Sequence, residues 1–244
     1  MTTSLGTVLA IVPARAGSKG VPDKNLRTLA GRSLLDRTAD VARRSGVIDR
    51  TILTTDSEAI AAAGRDAGLD VPFMRPARLA QDDTPMLPVV RHAVDELVRS
   101  GWEAEIIVLL QPTSPLRRPD HIRDAVALLR SAGADSVVSV VALPRHLSPD
   151  YVMRIDGDVL KPFLPEGARV SRRQDAREAY SRDGTVYVFR RSTLERFGNI
   201  YGDNCRPLVI DPRDSLSIDS PDDWTNAERL VAAREREREE MGRT

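Results

Sequence analysis

The sequence is short of cysteine, histidine, aromatics and net charge, and each shortage removes a class of function. Cys205 is the single cysteine. An intramolecular disulfide and a cysteine-based zinc cluster are therefore excluded, and a reducing, cytoplasmic setting is expected. Lys plus Arg total 36 and Asp plus Glu total 36, so no overall field points to nucleic acid or an anionic membrane as partner. Aromatic residues make up 4% of the chain and form no stripe. Trp102 and Trp224 accordingly read as packing anchors rather than base-stacking platforms. His92, His121 and His146 lack the spacing of a metal pair. No apolar run approaches the length needed to span a bilayer, and the N-terminus shows no signal-peptide pattern.

What is present is a chain of 244 residues, 41% apolar and 30% charged, which is ordinary for one folded α/β domain. Strand-like segments are expected at Thr7 to Pro13, Arg50 to Thr55, Glu105 to Gln111, Ser136 to Leu143 and Gly184 to Arg190. Between and after them, helical spacing marks Leu34 to Ser45, Glu58 to Ala67, Pro88 to Arg99, His121 to Ser131 and Asp222 to Arg236. Short apolar runs separated by helices of about ten or more residues predict a mainly parallel sheet flanked by helices. Such a sheet gathers its ligands at the carboxyl ends of its strands. The stretch 144–177 is rich in Pro, Arg and Asp, with a strand pair turning at Asp156-Gly157. It has too few apolar residues for a core of its own and reads as a small protruding lobe of a single domain spanning 1–244.

The local pattern with the most chemistry is Ala14-Arg15-Ala16-Gly17-Ser18-Lys19-Gly20-Val21-Pro22-Asp23-Lys24-Asn25, which leaves the first strand. Its glycines let backbone N–H groups approach an anion, and Arg15, Lys19 and Lys24 add charge suited to a triphosphate. Neither a Walker A loop nor the dinucleotide fingerprint fits the spacing. On composition alone, a solvated basic loop remains the alternative.

Five further blocks follow in order: Leu53-Thr54-Thr55-Asp56-Ser57, Arg75 to Thr84, Leu109 to Arg117, Arg172 to Asp175 with Tyr180 and Asp183-Gly184, and Ser217-Ile218-Asp219 through Trp224. Together with the first loop they resemble the acylneuraminate cytidylyltransferases, the CMP-sialic acid synthetases, and their relatives acting on other nonulosonic acids. The resemblance runs over nearly the whole chain. It implies a Rossmann-like sheet of the nucleotide-diphospho-sugar transferase type, and transfer of CMP from CTP to the anomeric hydroxyl of an acidic sugar with release of pyrophosphate. It also implies roles. Ala14, Arg15, Gly17, Ser18, Lys19, Lys24, Asn25, Arg75, Asp82 and Thr84 would hold the nucleotide. Gln111, Arg173, Gln174, Tyr180 and Asp183 would face the sugar, with an arginine gripping its carboxylate. Arg15, Lys19, Lys24 and Asp219 would carry catalysis. Magnesium would be held by Asp219, with Asp56 as second ligand or water anchor. Arg117 is a further candidate contact to phosphate or sugar. A homodimer formed through the lobe is expected by the same resemblance.

Two positions depart from the family pattern. Ser217 stands where an aspartate usually precedes Asp219 by two residues, so one negative charge is missing. Asp183 stands where asparagine usually precedes the glycine, and an ionised carboxylate accepts hydrogen bonds but cannot donate them. CMP transfer to a shorter keto-deoxy sugar acid or a phosphonate, and a non-catalytic CTP-binding protein, are the alternative readings.

Overall fold

A computed structural model describes residues 6–169 and 172–241. In chain order the elements are β1 (Val8–Pro13), β2 (Thr28–Leu29), β3 (Arg32–Ser33), α1 (Leu34–Ser45), β4 (Arg50–Thr54), α2 (Glu58–Asp66), α3 (Met86–Arg99) and β5 (Ile106–Leu109). They continue with α4 (Pro119–Ser131), β6 (Ser136–Ala142), β7 (Met153–Asp156), β8 (Val159–Pro162), β9 (Tyr180–Arg190), α5 (Arg191–Phe197), β10 (Cys205–Val209) and α6 (Pro221–Met241). The ends follow local chemistry. At α1, Ser33 and Asp36 form a reciprocal capping box and Gly46 closes the helix in the left-handed region.

One six-stranded sheet has the order β10-β6-β9-β5-β1-β4. β1 pairs in parallel with β4 and β5, and β10 with β6, while β9 runs antiparallel between β5 and β6. The sheet is thus mainly parallel, as the alternation of elements predicts, with one reversed strand that the pattern does not reveal. The reversal matters for position. The beginning of β9 reaches the same rim as the carboxyl ends of β1, β4 and β5.

Both faces of β1 are buried. Val8, Ala10 and Val12 pack with Leu35, Ile122 and Leu129 on one side, and Leu9 and Ile11 pack with Val90, Leu97 and Phe189 on the other. That two-sided burial is why the strand reads as an unbroken apolar run. A third cluster holds Val21, Leu29, Leu34, Leu116, Ile218 and Trp224 together beneath the rim. It ties the Gly/Lys loop, the loop after β5 and the start of α6 to one apolar base.

β2, β3, α5 and β10 were not visible in the pattern. β2 and β3 have two residues each. β10 is an exposed edge strand with Pro207 inside it, where a missing N–H is tolerated. β7 and β8 form the anticipated hairpin. Its apolar side chains are open: Ile155 is 78% exposed and Leu160 62%. Among the described residues, no helix is long and apolar enough to cross a membrane.

Candidate active site

The loops leaving β1 and β5, the stretch from Arg75 into α3 and the segment before α6 enclose a cleft of about 410 Å³. Its floor is the loop 14–25, whose shape is fixed from several sides. The Ala16 N–H donates to Asp56 Oδ1 at 2.9 Å, and the Asn25 amide donates to the Arg15 carbonyl at 3.2 Å. Gly17 adopts φ 65°, a left-handed conformation that favours glycine. Gly20 serves a different need: a Cβ placed there would lie 1.8 Å from the Asp219 carbonyl oxygen. Only a residue without a side chain lets the loop press directly on the Asp219 backbone.

The cations converge on the cleft. Arg15 Nη2 lies 2.7 Å from Asp82 Oδ1, and Lys19 pairs with Asp82 Oδ2. These contacts, Lys19 first, hold the Asp82 carboxyl below the usual carboxylate range. Lys24 donates to the Ile218 carbonyl at 2.6 Å and lies 3.6 Å from Asp219 Oδ1. Burial lowers its pKa, with Asp219 opposing the shift. Arg75 is buried in the wall, where its guanidinium donates to the Thr54 hydroxyl and carbonyl at the end of β4. Burial pushes it down to about 10, which leaves it charged at neutral pH. Leu79, Met86 and Val89 add an apolar surface beside it.

Every residue expected to hold the nucleotide lines this cleft except Gly17, which lies behind it against Ser57, Ala59 and Ile60. The four residues expected to carry catalysis all line it, as does Gln111. Met86 and Val89 escaped the sequence reading, because apolar residues near a helix start look like ordinary core; Leu79 lay inside the block Arg75 to Thr84 without being assigned a role. Gly20 was legible as a flexible residue, not as a contact to Asp219.

The other expected positions lie elsewhere. Asp56 does not line the cleft. It spends an oxygen on the Ala16 N–H and thereby shapes the loop from outside. Arg173, Gln174 and Tyr180 are exposed on the lobe side of the chain and do not line the cleft either. Asp183 is 9% exposed and accepts from the Thr185 N–H and hydroxyl, so its carboxylate is turned into the protein. Arg117 is a correction: it is 4% exposed, donating to the Thr185 carbonyl at 2.5 Å and to the Gln111 carbonyl. A side chain so committed is a clamp, not a contact to phosphate. With the Ser114 hydroxyl on the Gly184 carbonyl at 3.1 Å, it fastens the loop after β5 to the start of β9. There the pairing with β6 shifts between Val138 and Val140, and such irregularities re-aim side chains beside binding sites.

The donor set for a metal is small. The Asp219 side chain is 71% exposed, and the Ser217 hydroxyl donates to its Oδ2 at 2.8 Å. Among the described residues there is no group of three His, Cys, Asp or Glu side chains placed to hold an ion. One open carboxylate with a hydroxyl beside it fits magnesium, which commonly takes one or two carboxylates and fills the rest of its shell with phosphate and water. It does not fit zinc or a caged calcium.

Comparison with known proteins places this geometry in a family. A family model described as cytidylyltransferase matches residues 9–234. The chain is 33% identical over 227 residues to the CMP-N,N'-diacetyllegionaminic acid synthase of Legionella pneumophila, covering 92% of this chain and 96% of that protein. It is 32% identical over 225 residues to N-acylneuraminate cytidylyltransferase A of Danio rerio, covering 92% of this chain and 50% of the relative. The chain therefore spans about half the length of some relatives and nearly all of others. Among solved structures, a CMP:2-keto-3-deoxy-manno-octonic acid synthetase complexed with CTP aligns with a TM-score of 0.70 at 17% identity, over 93% of this chain and 99% of that one. A 4-diphosphocytidyl-2C-methyl-D-erythritol synthase from Anaerococcus prevotii aligns with a TM-score of 0.63 at 17% identity, over 93% and 97% of the two chains; at such identities these two show the shared fold. The match to the family model over residues 9–234, on a sheet rim lined by four cations, establishes that the chain belongs to the cytidylyltransferase family and is a CTP-dependent nucleotidyltransferase.

Proposed function

We propose that the chain transfers CMP from CTP to the anomeric hydroxyl of a nonulosonic, sialic-acid-like sugar and releases pyrophosphate. The carrying observation is the cleft itself. Phosphate-loop cations, an apolar wall, Gln111 and Asp219 come from distant parts of the sequence and share one enclosed space. The apolar wall at Leu79, Met86 and Val89 suits the pyrimidine and ribose. Arg15, Lys19 and Lys24 suit the phosphate tail. Gln111 both donates and accepts, so it suits the hydroxyls and amide of an acceptor sugar.

In the reaction, the sugar oxygen forms a bond to the α-phosphorus as the bond from that phosphorus to the bridging oxygen breaks. The hydroxyl's proton passes to solvent, and the electron pair of the broken bond leaves with pyrophosphate. The chain's task is alignment and charge neutralisation. Arg15 and Lys19 meet the leaving phosphates, and Lys24, held by Ile218 and Asp219, stands between phosphate and metal side. Asp219 and Ser217 would hold magnesium, which supplies positive charge at the transferring group when bound.

The same reading includes a cytoplasmic setting and a homodimer, and the lobe supports the homodimer. Ile155, Val159, Leu160 and Phe163 form an open apolar surface, and a second copy of the chain covers it. This arrangement brings Arg173 and Gln174 toward the partner's cleft, which accounts for their distance from their own. Mixing an Arg173→Ala chain with a Lys19→Ala chain then restores turnover above either alone.

The test of the function is pyrophosphate release from CTP with a panel of nonulosonic acids, a shorter keto-deoxy sugar acid and a phosphonate, with and without magnesium. Release with a nonulosonic acid alone is the expected result. Release only with the shorter acid or the phosphonate, or CTP binding without release, refutes it. Asp219→Ala abolishes release; unchanged turnover in that variant removes the metal assignment.

A further inference from the structure

The two most exposed cations of the phosphate loop are both tied to one carboxylate on the opposite lip of the cleft. Asp82 uses one oxygen for Arg15, at 2.7 Å, and the other for Lys19. It sits in the turn Gln81 to Thr84, closed by the Thr84 N–H on the Gln81 carbonyl at 3.2 Å. Arg15 is braced from the loop side, where Nη1 donates to the carbonyls of Ala16 and Gly17 at 3.2 and 3.1 Å. The bridge therefore spans the cleft mouth, from the loop after β1 to the segment before α3. Carboxylate and phosphate offer the same arginine and lysine partners the same type of paired oxygen acceptors. Resting on the reading that this loop takes the phosphate tail of CTP, we propose that Asp82, expected among the residues holding the nucleotide, is instead an internal anion that the nucleotide's phosphates displace, so that it weakens nucleotide and pyrophosphate binding and speeds pyrophosphate release.

The argument is one of exchange. A phosphate tail can take Arg15 and Lys19 only by breaking both contacts to Asp82. The displaced carboxylate then stands near several negative oxygens. Binding gives up two ion pairs to gain two or more, so the net gain from these cations is smaller than their number suggests. When pyrophosphate leaves, the same carboxylate takes the cations back. Asp82 is thus opposite in sign to the two cations it holds at the cleft mouth, and its removal is expected to strengthen binding. Asp219 does not share this role, because it faces Lys24 at 3.6 Å and not the pair at the mouth.

The test is calorimetry on the full chain with CTP and with inorganic pyrophosphate as separate probes, comparing wild type, Asp82→Asn and Asp82→Glu. Asp82 is on the surface, with a side chain 41% exposed, and thermal melts verify that all three proteins are folded. Asp82→Asn is expected to bind both probes about three- to ten-fold more tightly, the scale of one or two exposed ion pairs. Asp82→Glu stays within about two-fold of wild type. The advantage of Asp82→Asn narrows as salt rises, because its bare cations are screened more readily than paired ones. Pyrophosphate inhibits its turnover more strongly by the same factor. Unchanged or weaker binding in Asp82→Asn overturns the inference while leaving the function standing. A wild-type chain that takes up neither probe overturns both.

Discussion

Gly20→Ala removes no functional group, which makes it a sharp test of how the cleft is assembled. Gly20 does not occupy a left-handed conformation, so alanine meets no backbone strain there. The obstacle is contact alone. The added Cβ would stand 1.8 Å from the Asp219 carbonyl oxygen and 3.0 Å from its carbon. Ordinary contact begins near 3.4 Å, so the two backbones must part by about 1.6 Å. Neither has easy freedom to do so. Val21 and Ile218, their neighbours, are buried in the same apolar cluster, and the Ile218 N–H is held by the Thr113 carbonyl at 3.0 Å. Overpacking of this kind costs roughly 1–3 kcal/mol of stability. The cost to catalysis is larger, since a misplacement of about 1 Å at reacting groups lowers rate on the order of 100-fold. Pyrophosphate release and thermal melting are measured on the same preparation. Gly20→Ala is expected to lose about two orders of magnitude in kcat while remaining folded. Turnover within a factor of three of wild type would show that the loop and Asp219 move apart without consequence, and the account of the cleft would fall. Gly17→Ala is the control. Its Cβ meets only a guanidinium nitrogen at 3.9 Å, so it carries the left-handed strain of about 1 kcal/mol and no displacement of Asp219.

Lys24 sets a pH prediction in which activity and stability move in opposite directions. Burial lowers its folded-state pKa from 10.5, so between the lowered value and 10.5 the unfolded chain binds more protons and stability gains from this group as pH rises. Over the same window the ammonium is lost, so kcat/KM falls on the alkaline side before an ordinary lysine would titrate; a pH profile of both quantities checks this, and Lys24→Arg removes the early alkaline limb. Arg117→Met leaves the Gln111 and Thr185 carbonyls without their donor and is expected to cost ~3 kcal/mol of stability, from two charge-assisted hydrogen bonds. Chemical denaturation measures that loss, and a variant as stable as wild type would remove the clamp. Because the clamp aligns Gln111, the same variant raises the acceptor KM more than the CTP KM.

Secondary structure was legible wherever burial is two-sided or strictly periodic. β1 and β5 are short unbroken apolar runs, β6 is rich in valine, and α1 is bounded by its own cap residues, so local chemistry suffices to place them. β10 was not legible, because an exposed edge strand with an internal proline carries no alternation. The antiparallel course of β9 was equally hidden, since strand direction is a property of pairing and not of composition. The order of motifs carried the family, because each block keeps its residue types and spacing whatever the surroundings do.

What the sequence determined by itself is therefore the inventory: a cationic loop after an apolar strand, a Gln after a second one, and an Asp before the last helix. Tertiary structure alone decided which of these share a space. Arg117 and Arg118 are adjacent and chemically identical, yet one is buried against Gln111 and Thr185 while the other pairs with Asp214 at 3.1 Å. Asp56 and Asp219 are both loop carboxylates within the blocks read from the sequence, yet one shapes the loop from behind and the other opens into the cleft. The physical reason is that a loop side chain takes its direction from packing between segments far apart in the chain. The long-range contacts of Gly20 with Asp219, and of Lys24 with Ile218, span about two hundred residues and leave no trace in local periodicity.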